Sequence, residues 1–224
     1  MANILLIGGH GKVALLAEPK LVAAGHQVYA VIRKESQAAA ISERGAQPII
    51  LDIEQATTSD IEELIRQTKA DVLVWSAGAG GGDSSRTYAI DQDAAICSME
   101  AARQAGLKRY IMVSYLGSGR GHTVDEDHGF YAYERAKAVA DAYLRDSNLD
   151  FTILGPGRLS EEPATGIDLG SQPAGEFTSR ELVAELIVAS IADDSTIGKT
   201  IAFTDGKDDP VQALATAPAK RNLS

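Results

Sequence analysis

The segment Ala2–Ala14, ANILLIGGHGKVA, constrains the fold more than any other. Its apolar run Ile4-Leu5-Leu6-Ile7 has the length of a buried strand, and a run without alternation must be covered on both faces. The run stops at Gly8-Gly9, with Gly11 two residues on. Val13, Leu15, Leu16, Leu21 and Val22 then recur at roughly helical spacing until Gly25. Strand, glycine turn and helix form the first half of a βαβ unit. Gly8, Gly11 and Ala14 have the G-x-x-G-x-x-G/A spacing of a dinucleotide-binding turn. Gly8 permits a tight reversal and Gly11 a close backbone approach to a pyrophosphate. Ala14 lets the helix pack near the strand, its positive end aimed at the phosphates.

The same rhythm runs on. Strands are expected at Gln27–Ile32, Pro48–Leu51, Asp71–Trp75, Lys108–Ser114, Phe151–Leu154 and Lys199–Phe203. Helices are expected at Glu35–Glu43, from Ser59, at Thr87–Ala105, at Phe130–Asp146 and at Thr178–Ala192. On Thr87–Ala105, the residues Ile90, Ala94, Cys97 and Ala101 share a face, which places Cys97 in the core. Segments 115–129 and 161–175 lack periodicity and read as insertions on the substrate side. This alternation predicts one α/β domain over residues 1–212, a Rossmann-type doubly wound parallel sheet of at least six strands with the first strand central. Residues 213–224 read as a frayed tail.

Composition narrows the partners. A formal charge of −10 is no basic nucleic-acid footprint and argues against anionic membranes, so any bound anion needs a local site. Cys97 is the sole cysteine, which excludes a disulfide framework or a cysteine zinc site. No apolar run reaches the ~20 residues of a membrane span. The expectation is a cytoplasmic protein, monomer or homodimer, whose partner is a small-molecule substrate.

Several constellations carry chemistry. Ser76-Ala77-Gly78-Ala79-Gly80-Gly81-Gly82 follows a strand's C-terminal end and reads as a ligand-facing loop. Tyr133 and Lys137, four apart on a helix, become neighbours; a cation beside a phenol favours phenolate, tuning the tyrosine for proton transfer. Tyr131 is a rival, but its i+4 partner Arg135 cannot be deprotonated. Ser114 closes the fifth strand, where its hydroxyl could hydrogen-bond a substrate carbonyl. Arg33 and Lys34 end the second strand, where an NAD-preferring site carries an acid; two cations there suit the extra phosphate of NADP, with NAD the alternative. His122 and His128 lie among Asp125, Glu126 and Asp127, but the spacing matches no metal motif, and no metal is expected. Asp83, Asp91 and Asp93 read as caps and solvated faces.

With those residues in view the chain resembles the atypical short-chain dehydrogenase/reductases. It is most similar there to the single-domain NAD(P)H-binding group that also resembles NmrA-like proteins and flavin/biliverdin reductases. The resemblance runs from Asn3 to about Gly206. It rests on IGGHGKVA, VIRK, LDIE, AARQAGLKRYIMVS, YERAKAVADAYLRDSNLDFTILGPGRL, TSRELVAELIVASI and GKTIAFTDG. It implies that Gly8, His10, Gly11, Lys12 and Val13 surround the pyrophosphate and that Arg33, with Lys34, meets the 2′-phosphate. It further implies that Asp52 and Ile53 meet the adenine, that Ser76, Ala77 and Gly78 lie by the ribose and diphosphate, and that Pro156, Gly157 and Arg158 lie near the nicotinamide. Ser114, Tyr133 and Lys137 would be the reductase triad. The chain departs from the family pattern in Gly8-Gly9-His10-Gly11 for Gly-Ala-Thr-Gly, in Tyr115 for a second serine, and in Gly155 for the Arg before Pro-Gly. The implied activity is NAD(P)H-dependent reduction of a small carbonyl, quinone or flavin-like acceptor. The alternatives are an NADP(H)-sensing NmrA-like regulator without turnover, and a sugar-nucleotide epimerase or dehydratase.

Overall fold

The computed structural model describes residues 1–80, 83–117, 125–170 and 176–217. Strands β1 (Asn3–Ile7), β2 (Gln27–Ile32), β3 (Gln47–Ile50), β4 (Val72–Trp75), β5 (Arg109–Val113) and β6 (Asp150–Pro156) alternate with helices α1 (Lys12–Ala23), α2 (Ala38–Ser42), α3 (Thr58–Thr68), α4 (Ser84–Thr87), α5 (Ala95–Ala105) and α6 (Tyr131–Asp146). Beyond them come β7 (Arg158–Ser160), β8 (Ile167–Leu169), β9 (Phe177–Ser179), α7 (Arg180–Ala192), β10 (Lys199–Asp205) and α8 (Pro210–Thr216). The main sheet has eight strands in the order β3-β2-β1-β4-β5-β6-β10-β8. All of its pairs are parallel except β10–β8. This is the Rossmann-type α/β domain expected, with β1 inside the sheet between β2 and β4. The strand order reverses there, which opens a crevice at the C-terminal edge.

The unbroken apolar runs are explained by their two covered faces. Ile4 and Leu6 of β1 pack with Ala14, Ala17 and Leu21 of α1 and Leu186 of α7. Leu5 and Ile7 face the other way, into a cluster with Ile61 of α3 and Met99 of α5. At one edge of the sheet β3 carries Pro48, opposite Ala30; at the other lies the three-residue β8.

The structure departs from the sequence reading in several places. The helix expected over Thr87–Ala105 is α4, then a π-helical segment Tyr88–Ala94, then α5. The first turn of the helix expected at Thr178 is instead β9, which pairs with β7 as a separate two-stranded parallel sheet. Segment 161–175, expected to be irregular, contains the antiparallel β8, held by main-chain pairing to β10 rather than by any apolar pattern of its own. Residues 213–217 are not frayed: Asp209 caps α8, and Leu214 and Ala217 are buried. Residues 218–224 lie outside the described residues. Cys97 is half-buried, its Sγ 3.2 Å from the Thr58 hydroxyl.

Glu18 on α1 is fully buried, and neither carboxyl oxygen has a hydrogen-bond partner among the described residues. Burial pushes its carboxyl from 4.5 up to about 8, against an opposing pull from Arg44. Above 4.5 the unfolded chain releases this proton and the folded chain retains it, so stability falls as pH rises from 4.5 to about 8. Glu18→Gln is expected to match the parent near pH 4 and exceed it by roughly 3 kcal/mol near pH 8.5. Urea unfolding at the two pH values checks this; equal stabilities at pH 8.5 would contradict it.

Candidate functional site

The crevice has two lobes separated by the Gly8–Gly11 turn and the Ser76–Gly78 strip. Gly8 has φ +88°, and a Cβ there would lie 2.6 Å from Ala77 N, so the β1–α1 turn passes directly against the strip after β4. Gly11, the N-cap of α1, supplies no side-chain cap. The first-turn N–H groups of α1 therefore face the crevice as a ready anion site.

The first lobe encloses about 230 Å³. Gly8, His10 and Gly11 form its floor, Arg33 and Gln37 its β2 side, and Asp52 and Ile53 its β3 side. Gln37 Oε1 accepts both the Arg33 N–H (3.2 Å) and the Lys34 N–H (3.0 Å), which shapes the turn carrying Arg33. Lys34 is exposed and does not line the lobe. Arg86, not anticipated from sequence, also lines it; its Nε donates to Glu54 Oε2 (3.1 Å) and its Nη1 to the Ala79 carbonyl (2.9 Å). That guanidinium ties the loops after β3 and β4 together.

The second lobe, about 300 Å³, brings Gly11, Lys12, Val13 and the Ser76–Gly78 strip together with Ser114, Tyr133 and Lys137. Asp91, Leu159 and Arg180 complete the wall. Ser114 is fixed just past β5 by its own N–H, which donates to the Leu154 carbonyl (2.8 Å), and its Oγ donates to Asp141 Oδ2 at 2.5 Å. Asp141 is fully buried on α6. A carboxylate only accepts, so the Ser114 hydrogen is directed at Asp141 and its lone pairs remain for the cleft. The Ser114 hydroxyl, expected to reach a substrate carbonyl, is directed at Asp141 in this structure.

Lys137 is 1% exposed, and its ammonium donates to the Val113 carbonyl at 2.9 Å, 3.7 Å from Met112 Sδ. The Tyr133 ring packs at a tilt, centre to centre 5.1 Å from Phe130 and 5.5 Å from Tyr115. Its phenol is pushed well above the ordinary tyrosine range, first by burial and then by Asp91 and Asp141. The lowering expected from the neighbouring Lys137 is thus outweighed, chiefly by burial, and the protonated form of Tyr133 is favoured.

Asp91 is likewise corrected. It is 1% exposed and accepts the Ala79 N–H at 2.9 Å, whereas Asp83 caps α4 and Asp93 is exposed as expected. Burial raises the Asp91 carboxyl, with Lys137 opposing. Asp91 lies within the π-helical segment on the face shared by the buried Thr87, Ala94 and Ser98, and this face meets the glycine loop at Ala79.

Other anticipated residues lie elsewhere. Pro156, Gly157 and Arg158 do not line either lobe. Gly157 N–H donates to the Phe203 carbonyl (3.0 Å) and to Thr178 Oγ1 (2.9 Å), and the Arg158 guanidinium lies 5.5 Å from the centre of the Phe177 ring. At Gly155, a Cβ would approach the Tyr115 carbonyl oxygen to 3.1 Å, so that position is filled by the neighbouring main chain. Tyr131 turns to Glu126 (3.4 Å), and His128 Nδ1 accepts the Phe130 N–H (3.1 Å) at the entry to α6. Gly81, Gly82, Gly119, Gly121 and His122 lie outside the described residues. A third cavity of about 590 Å³ lies beyond Tyr133, between Asp83, Ser84 and Thr87 on one side and Phe130 and Ala132 on the other.

Residues 8–194 match the family model described as NAD(P)H-binding. The chain belongs to that family. YhfK of Bacillus subtilis, called an uncharacterized sugar epimerase, is 32% identical over 95% of this chain and 98% of its own length. A Bacillus halodurans protein assigned as an NAD-dependent epimerase/dehydratase superposes with a TM-score of 0.86 at 29% identity, covering 96% of this chain and all of its own. The oxidoreductase ylbE of Lactococcus lactis gives 0.84 at 28% identity, covering 96% of this chain and 95% of its own. The family is NAD(P)H-binding and oxidoreductase/epimerase-like. No helix among the described residues is long and apolar enough to cross a membrane.

The residues present fit such a cofactor. The cradle that a Cβ at Gly8 would fill and the open first turn of α1 suit a diphosphate. The first lobe suits an adenosine, and the second lobe leaves Ser114, Tyr133 and Lys137 beside the reacting end.

Proposed function

We propose that this protein is an NADPH-dependent reductase of a small carbonyl, quinone or flavin-like acceptor. One observation carries the reading: Tyr133 lines both the second lobe and the larger cavity beyond it. A protonated phenol thus stands between the place where a nicotinamide would lie and the space an acceptor could fill. When bound, the reduced cofactor supplies the hydride. Tyr133 then delivers its proton to the acceptor oxygen, and the buried Lys137 ammonium supports the phenolate left behind. Ser114, its hydrogen given to Asp141, accepts the Tyr133 hydroxyl or a donor on the acceptor and so orients the exchange.

Arg33, lining the first lobe at the end of β2, holds the 2′-phosphate in this reading. A charge-assisted bond to phosphate contributes roughly 1.5–3 kcal/mol. Arg33→Ala should therefore weaken NADPH by tens-fold and leave NADH nearly unchanged, as fluorescence titration with both cofactors would show. Equal losses would mean Arg33 does not discriminate.

The test of the activity is NADPH oxidation with a panel of aldehydes, quinones and flavins. Tight cofactor binding with no oxidation by any of them would overturn the reductase reading in favour of a sensor. The names of two relatives favour a second reading, epimerase or dehydratase chemistry on a nucleotide sugar, by the same Tyr133 and Lys137. Conversion of a nucleotide sugar without net change in NADPH would select it.

A further inference from the structure

We propose that Lys12 and Arg180 form a subsite for an acidic group on the acceptor, and that the chain's own Glu161 holds that subsite until the acceptor displaces it. The proposal rests on the reductase reading above and assigns its acceptor to the carboxylates or phosphate esters.

Three separate elements build the cluster. In the small parallel sheet Leu159 pairs with Thr178 and Ser160 with Ser179, so the next residues, Glu161 and Arg180, leave the ladder side by side. Arg180 is the first residue of α7 and Lys12 the first of α1, and the two helices pack together. One carboxylate oxygen takes both cations: Glu161 Oε1 lies 2.6 Å from Lys12 Nζ and 3.0 Å from Arg180 Nη1. A ligand oxygen between the same two groups would make the same contacts.

The cations, but not Glu161, line the lobe that holds Ser114, Tyr133 and Lys137. A chain with a formal charge of −10 would otherwise repel an anionic acceptor, and these two side chains put positive charge on the cleft wall once Glu161 leaves. The Arg180 side chain is 20% exposed and its guanidinium fork suits a carboxylate or phosphate, whereas Lys12 is 70% exposed and able to follow the ligand. Glu161 is itself 64% exposed, and exposed ion pairs break at little cost, so it can return to water when an acceptor enters. It is an internal competitor that screens the two cations in the resting protein.

The experiment titrates inorganic phosphate into NADPH-saturated protein by calorimetry, for the parent, Glu161→Gln and Arg180→Gln. Glu161→Gln is expected to bind phosphate about three- to tenfold more tightly than the parent, and Arg180→Gln at least about tenfold more weakly. Arg180→Lys, which keeps the charge and loses the fork, should recover part of that loss. Phosphate affinities unchanged in both Gln variants would overturn the subsite. Phosphate bound only by cofactor-free protein, and expelled by NADPH, would overturn the acceptor assignment and give the two cations to the cofactor's diphosphate. Because binding is read rather than turnover, a protein that fails to oxidise NADPH yet shows the expected phosphate series faults the reductase reading alone.

Discussion

Tyr133→Phe is expected to lower turnover by ~10²–10⁴-fold while leaving NADPH affinity within about twofold, because the change removes one hydroxyl from general acid catalysis and none from cofactor contact. The surroundings of the ring support so clean a separation. Phe130 and Tyr115 hold the ring from two sides, so a phenyl group should keep the same place. The pH profile gives a second readout. Burial, Asp91 and Asp141 all favour the neutral phenol, so its midpoint lies above the ordinary value near ~10. The acid form needed for reduction is therefore present throughout the neutral range, and kcat should stay flat from about pH 6 to about pH 9. The reverse reaction needs the phenolate and should be slow over that range. A variant that keeps full activity would show that the proton comes from elsewhere, with Tyr115, 5.5 Å away ring to ring, the next residue to test.

Gly8→Ala should damage both fold and cofactor binding. The position has φ +88°, which costs a residue with a Cβ about 1–2 kcal/mol. The new Cβ would also lie 2.6 Å from Ala77 N and 2.7 Å from Ala77 Cα, both main-chain atoms that cannot rotate aside. Overpacking of that kind adds roughly 1–3 kcal/mol. A loss of ~3 kcal/mol in a chain of this size should lower Tm by about 10 °C. Relief comes only from moving the Ser76–Gly78 strip, which lines both lobes, so NADPH affinity should fall by at least ~100-fold, the loss of two or more hydrogen bonds. A thermal melt and a fluorescence titration on the same preparation measure the two effects. Cofactor affinity like that of the parent would show that the diphosphate does not use this turn.

How much of this was legible in the sequence depends on how locally it is encoded. The β1–α1 turn is a contiguous string, so its strand, its glycines and its helix declared themselves. Tyr133 and Lys137 were legible through helical spacing alone. Asp141 continues the same stripe at i+8, and a polar residue repeating every four positions on an otherwise apolar face was the available signal. The upward push on the Tyr133 phenol was not legible from the Tyr133–Lys137 spacing, because burial, its largest cause, and the nearby Asp91 come from packing of the Tyr88–Ala94 segment against α6. Glu161 and Arg180 were hidden for a different reason. Their meeting depends on the pairing of β7 with β9, two three-residue strands too short to show any alternation.

The two ends of the main sheet bear on how this protein behaves at high concentration. A strand from another chain adding beside β3 would find no N–H at Pro48, and at the far end β8 offers only three residues before the chain turns at Gly166 and Gly170, both with positive φ. Both rows of exposed main-chain groups are too short or too interrupted to template a growing ribbon. Strand-by-strand growth from either end of the main sheet is thereby disfavoured by features that the proposed chemistry does not use.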